Sequence, residues 1–151
     1  MYRVTNRMGN EEIMERIQVI FPGTLWCGSG NKASNPNELG KKNETDACCR
    51  EHDMCPDIIE ARQSKHGLTN SAYYTRLSCE CDDKFYDCLH RSKDGIGGTV
   101  GYMYFSGLST QCFRNDYPIV KCKRTTGICL EYELDTSQPK KYQWFDVRPW
   151  N

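Results

Sequence analysis

Apolar positions follow a helical period in some stretches of the chain and a strand period in others. Tyr74, Leu77, Cys81, Phe85 and Cys88 are spaced by three, four, four and three residues. That is the mark of a buried stripe on a helix beginning near Ser71. Asp94-Gly95 and Gly97-Gly98 break it, and Val100 to Leu108 predicts one more short helix, carrying Tyr104. Ile128, Leu130, Tyr132 and Leu134 alternate with Cys129, Glu131, Glu133 and Asp135, a period of two that suits a half-buried strand. Tyr142 to Val147 suits another strand, and Lys123 to Gly127 lie where a hairpin closed by Cys122 and Cys129 would turn. Near the start, Ile13, Met14, Ile17 and Phe21 make one stripe of a short helix behind an Asn10 cap.

The polar positions carry more information between Thr45 and Cys55. Thr45 is placed to cap a helix, with Asp46 in the first turn where the macrodipole favours an anion. Pro56 pushes Cys55 out of helical torsions, so this helix is short. Residues four apart stack, so Cys48 shares a face with His52 and Cys49 with Asp53. His52 and Asp53 therefore point about 100° apart and face different tasks. Phe21 to Asn31, with Gly23, Gly28 and Gly30, reads as a loop whose glycines let backbone carbonyls converge. The stretch from there to Glu44 reads as polar surface loop, and Asp57 to Gly67 has no clear period.

Composition narrows the class. At 151 residues the chain predicts one domain over 19–151, preceded by an extension over 1–18 that reads as a pro-segment or remnant. Apolar residues make up only 38%, while ten cysteines point to a disulfide framework and a secreted, extracellular protein. No signal-peptide core follows Met1, so that reading requires a leader that is absent or removed. Lys+Arg and Asp+Glu balance at 20 each, which argues against a nucleic-acid partner and leaves a monomer as the default. No apolar run is long enough to span a bilayer. Asn43-Glu44-Thr45 is an N-glycosylation acceptor whose threonine doubles as the expected cap.

Spacing suggests how the cysteines pair. Cys48 and Cys55 lie two helical turns apart, about 10.5 Å, as do Cys81 and Cys88. If the two helices pack antiparallel, Cys48 meets Cys88 and Cys55 meets Cys81. Cys49 is then free to hold the glycine loop through Cys27, Cys79 to take Cys112, and Cys122 to take Cys129. In that register His52 lies level with Lys84, so Asp82 and Asp83 both fall within a turn of it. Either carboxylate would accept a hydrogen bond from the imidazole and leave its other nitrogen free as a general base. The glycine loop, drawn in by Cys27, would bring carbonyls towards Asp53, a hard-oxygen setting that suits calcium.

Three motifs carry a family resemblance: Trp26-Cys27-Gly28-Ser29-Gly30, then Asp46-Ala47-Cys48-Cys49-Arg50-Glu51-His52-Asp53-Met54-Cys55, then Cys79-Glu80-Cys81-Asp82-Asp83-Lys84-Phe85-Tyr86-Asp87-Cys88. Together they resemble the secreted phospholipases A2 of group III, the bee-venom type, from Phe21 to Asp146. The resemblance implies a mainly α fold with a small β part: a disulfide-stapled antiparallel helix pair, a glycine-rich calcium loop and C-terminal antiparallel strands. It implies calcium-dependent hydrolysis of the sn-2 ester of glycerophospholipids at a membrane or micelle surface. By motif match His52 would be the general base, Asp82 rather than Asp83 its orienting carboxylate, and Tyr104 a hydrogen-bond donor to Asp82. Calcium would be held by Asp53 and the carbonyls of Trp26, Gly28 and Gly30, with the Gly28 amide helping to stabilise the oxyanion. All five pairings above are implied as well. The segment Asp94 to Val100 is shorter and richer in glycine than the venom-type pattern, at a place where the family meets lipid. Ile20, Phe21 and Ile96 are candidates for an apolar docking rim, with Lys32 and Arg62 as cationic neighbours.

Two rival readings remain. Cys49, His52 and Cys55 with Cys81 have the residue types of a structural zinc site, which the disulfide pattern opposes. A non-catalytic ligand or toxin on the same scaffold would more often have lost His52 or Asp53. His66 and His90 have no such company and are read as surface residues, and Tyr73, Tyr74, Trp144 and Phe145 as packing.

Overall fold

The helix around Cys48 begins earlier than its threonine suggests. In the computed structural model, which describes Met1 and residues 19–151, helix α1 spans Asn43–Asp53. Thr45 does not cap it. Its backbone N–H donates to Asp94 Oδ2 at 2.8 Å and its hydroxyl to Asp94 Oδ1 at 2.7 Å, so an aspartate from a distant loop meets the positive end of the helix. The helix closes at Met54, whose N–H bonds the carbonyls of Arg50 and Glu51, ahead of Pro56.

Short strands follow: β1 (Ile58–Ile59), β2 (Ser64–Lys65), β3 (Leu68–Thr69) and β4 (Arg76–Leu77), with β1 paired to β4 and β2 to β3. The second helix therefore does not start near Ser71. Asn70 is fully buried and donates to the carbonyls of Ile59 and Tyr74, which holds the chain extended through Leu77. Tyr74 and Leu77 are buried as the stripe requires, but they reach the core from strand and loop. Helix α2 spans Cys79–Arg91 behind a Ser78 cap.

Helix α3 (Gly97–Gly101) runs into a wider π-helical segment, Tyr102–Leu108, which stops at Ser109 in the left-handed region (φ 52°). The expected break at Gly97-Gly98 is thus a helix start, and its glycines serve contact. A Cβ on Gly97 would lie 2.5 Å from the Leu89 carbonyl, and one on Gly101 2.4 Å from the Trp150 indole. Four strands complete the fold. β5 (Gln111–Asp116) pairs antiparallel with β8 (Lys141–Asp146), and β6 (Ile119–Thr125) with β7 (Cys129–Leu134). From Val120 to Thr125 β6 is exposed on both faces, so no apolar alternation announces it.

Disulfides join Cys27 to Cys49, Cys48 to Cys88, Cys55 to Cys81, Cys79 to Cys112 and Cys122 to Cys129; the antiparallel register calls for the second and third, and the family resemblance implies all five. Two of them fasten α1 to α2 at both ends. Phe85, Leu89, Val100, Tyr104, Phe105, Phe145 and Val147 fill the core between the helices and the C-terminal strands. Among the described residues the result is three α-helices, one π-helical segment, small antiparallel strand pairs and five cross-links. Among the described residues no helix is long and apolar enough to cross a membrane. The predicted N-terminal helix, apart from Phe21, lies outside the described residues.

Candidate active site

His52 and Asp82 come from the two cross-linked helices and meet between them. His52 Nε2 and Asp82 Oδ1 are 2.6 Å apart, with both side chains almost wholly buried. Asp83, the other carboxylate that register allowed, is on the exposed side of α2. Tyr104 reaches in from the π-helical segment and donates its hydroxyl to the same Asp82 oxygen at 2.9 Å. Burial, with the Asp82 carboxylate beside it, pushes the Tyr104 phenol well above its ordinary value of 10.0, so it stays a donor. The imidazole is stacked on Phe85 at 4.2 Å and met edge-on by Tyr104 at 5.0 Å. A carboxylate on Nε2 fixes the proton there and leaves the lone pair on Nδ1. Nδ1 is buried and has no hydrogen-bond partner among the described residues.

Asp53, the next residue, faces the glycine loop. Two cross-links to the first helix hold that loop, one covalent and one hydrogen-bonded. Cys27–Cys49 is the covalent link. The hydrogen-bonded one was missed by sequence reasoning: the fully buried Asp46 carboxylate accepts from the backbone N–H of Leu25 (3.0 Å), Trp26 (2.8 Å) and Gly40 (2.8 Å). With the Trp26 amide fixed in this way, its carbonyl turns to the same point as Asp53. Met1 N lies 2.8 Å from the Trp26 carbonyl oxygen and 2.7 Å from Asp53 Oδ1, so the two oxygens face one common point. The donor set is hard oxygen, one carboxylate with backbone carbonyls, and fits a calcium-like cation. Cys49 and Cys55 are held in disulfides with Cys27 and Cys81, so neither offers a thiolate to a zinc centre built on Cys49, His52 and Cys55.

Gly28 is held where only glycine fits. It bridges Ile20, and a Cβ there would lie 1.9 Å from the Val19 carbonyl. The flanking bonds are those of Phe21 N–H to the Cys27 carbonyl and Ser29 N–H to the Val19 carbonyl, so the Gly28 amide and carbonyl stand outside that ladder. Gly30 follows with φ 80°.

A cavity of about 400 Å³ opens beside Gly28, lined by Val19, Ile20, Phe21, Pro22, Met103 and Leu108. Ile20 and Phe21 line this cavity, and Phe21 and Ile96 both pack partly buried against the core. Val19, Met103 and Leu108 were not foreseen, because no periodic pattern links a loop to the far end of a helix. A second cavity of about 380 Å³ reaches His52 and is lined by Arg50, Glu51, Met54, Pro56, Cys81 and Lys84. Of the two other histidines, His66 stacks on Tyr142 at 3.9 Å and His90 on Trp150 at 4.1 Å, both exposed and away from this site.

A sequence profile described as phospholipase A2 matches residues 20–116. A phospholipase A2 from Apis mellifera is 58% identical over 149 residues, covering 97% of this chain and 88% of the relative. That match takes in most of residues 1–18, beyond the stretch on which the resemblance was read. One from Bombus pensylvanicus is 65% identical over 133 residues, covering 85% of this chain and 98% of its own length. More distantly, an acidic phospholipase A2 from the lizard Heloderma suspectum is 47% identical over 94 residues, 62% of this chain and 66% of its own length.

Proposed function

The chain belongs to the phospholipase A2 family, in its group III branch, and from that premise we propose how its own residues divide the work of hydrolysing the sn-2 ester of a glycerophospholipid. His52 Nδ1 takes a proton from a water molecule as the oxygen attacks the ester carbonyl. Asp82 keeps the other ring proton on Nε2 and steadies the imidazolium that forms. Tyr104 shares the Asp82 charge by donating to the same oxygen. The imidazolium then gives its proton to the departing glycerol oxygen, and a lysophospholipid and a fatty acid leave. The Gly28 N–H donates to the developing oxyanion. No covalent enzyme intermediate is required, since the nucleophile is water.

Calcium held by Asp53 and by the carbonyls of Trp26, Gly28 and Gly30 would supply positive charge to the substrate phosphate and to the oxyanion. The observation that supports this most directly is that the Trp26 carbonyl and the Asp53 carboxylate face one common point. The apolar cavity beside Gly28 offers a path for the acyl chain, and its rim a place to meet a lipid surface. Secretion is supported by the five disulfides. The buried, fully oriented His52–Asp82 pair weighs against a non-catalytic ligand on this scaffold. The test is hydrolysis of phosphatidylcholine vesicles with the product position assigned, with calcium and with chelator. Release from sn-2 that stops with chelator, with calcium binding by calorimetry lost in Asp53→Asn, is the expected result. Equal rates in both conditions would overturn the calcium assignment.

A further inference from the structure

Asn43-Glu44-Thr45 is the only Asn-X-Ser/Thr triplet in the sequence, and the catalytic reading uses none of it except as structure. Asn43 is the exposed first residue of α1, and its side chain makes no hydrogen bond among the described residues. Thr45 is the opposite case, with no exposed surface. Its hydroxyl donates to Asp94 Oδ1 and lies 2.8 Å from Ser92 Oγ, while its N–H is held by Asp94 Oδ2. The Cys48–Cys88 bond then fastens this end of α1 to the end of α2 just before Ser92.

We propose that Asn43 carries an N-linked glycan and that its occupancy is set by competition between sugar transfer and folding. In the transfer, Asn43 Nδ2 attacks the anomeric carbon of an oligosaccharide borne on a polyprenyl diphosphate. The new N–C bond forms as the C–O bond to the diphosphate breaks; the amide loses one proton and the diphosphate departs, with no change of oxidation state. The transferase reads the triplet in an extended, accessible chain, threonine hydroxyl included. Once Thr45 docks on Asp94 and Ser92, that hydroxyl is closed to it, although Asn43 itself stays on the surface. Transfer must precede docking. The mature position is compatible with a bulky sugar, because Asn43 points to solvent from a helix end.

This inference rests on passage through a secretory compartment, as does the disulfide framework. The experiment secretes the full chain from insect cells behind a heterologous signal peptide and reads the Asn43 peptide by mass with and without an amide-cleaving glycosidase. Vesicle hydrolysis is measured on the same samples, so a failure of the phospholipase reading is seen separately. The expected result is a glycosidase-sensitive mass increment on part of the wild-type population, absent in Asn43→Gln, whose hydrolysis is unchanged. Occupancy rises in Asp94→Ala, in the milder Ser92→Ala, and in wild type made under a mild reductant that delays Cys48–Cys88. An unmodified Asn43 in active wild type and in all three loosened conditions would overturn the site. Complete wild-type occupancy, unmoved by any of them, would overturn the competition.

Discussion

Asp46 does the least visible work near the site. Its carboxylate takes three backbone N–H groups, each a charge-assisted bond in a buried setting. Replacing it with asparagine turns an amide group towards one or more of those donors. Asp46→Asn is expected to lose about 3 kcal/mol of stability, from bonds to a charged acceptor worth about 1.5–3 kcal/mol each and partly replaced. Because Trp26 loses its anchor, calcium binding read by calorimetry is expected to weaken as well. Unchanged binding in a folded variant would remove Asp46 from the cation site. The Cys48–Cys88 and Cys55–Cys81 pairs, and a carboxylate beside His52, were legible because the spacing of residues on two short helices sets an antiparallel register. Asp46 was legible only as a charge near a helix start, since its partners lie some way upstream in a loop whose path no local pattern records.

Helix boundaries near the site answer to packing more than to propensity. α2 starts at Cys79 because Asn70 and the β1–β4 pair hold Leu77 extended, and a stripe of apolar residues runs across that boundary without marking it. The glycine-rich start of α3 was read as a break, yet Trp150 lies against Gly101 and its N–H donates to Ser106 Oγ at 3.0 Å. Tyr86, on α2, donates to the Pro149 carbonyl at 3.2 Å. Residues 149–150 thereby tie together the two elements that carry Asp82 and Tyr104. An exposed Gly→Ala change inside a helix ordinarily gains about 1 kcal/mol. Gly101→Ala is expected to have the opposite sign, because the methyl would stand 2.4 Å from the indole ring. Thermal unfolding should drop and turnover should fall as Tyr104 shifts from Asp82. A rise in melting temperature would show that Trp150 yields freely.

For the whole molecule, cross-links and carboxylates that accept hydrogen bonds from loop and helix-end donors take the place of a large core. Asp94 shows the pH consequence. Burial tends to raise its carboxyl, but the N–H and hydroxyl of Thr45, the N–H of Ile96 and the Ser92 hydroxyl outweigh that and hold it below the ordinary 3.8. A lowered folded-state value means the unfolded chain takes up the proton first. The contribution is therefore fully present above the ordinary carboxylate range and is lost as pH falls through the folded value. Melting temperature should decline between about pH 5 and 3, where an ordinary carboxylate titrates, and the decline should be shallower in Asp94→Asn. An equally steep fall in that variant would assign acid sensitivity elsewhere. Strand β7 was legible from its period-two alternation, whereas β6 was legible mainly through Cys122, since it buries almost nothing. The most direct measurement of the central claim is sn-2 hydrolysis of vesicles by His52→Gln beside wild type, with thermal unfolding to certify the fold. Loss of a positioned general base should reduce turnover by about 10²–10⁴-fold in a variant that still unfolds cooperatively. Near-normal turnover in that folded variant would contradict it.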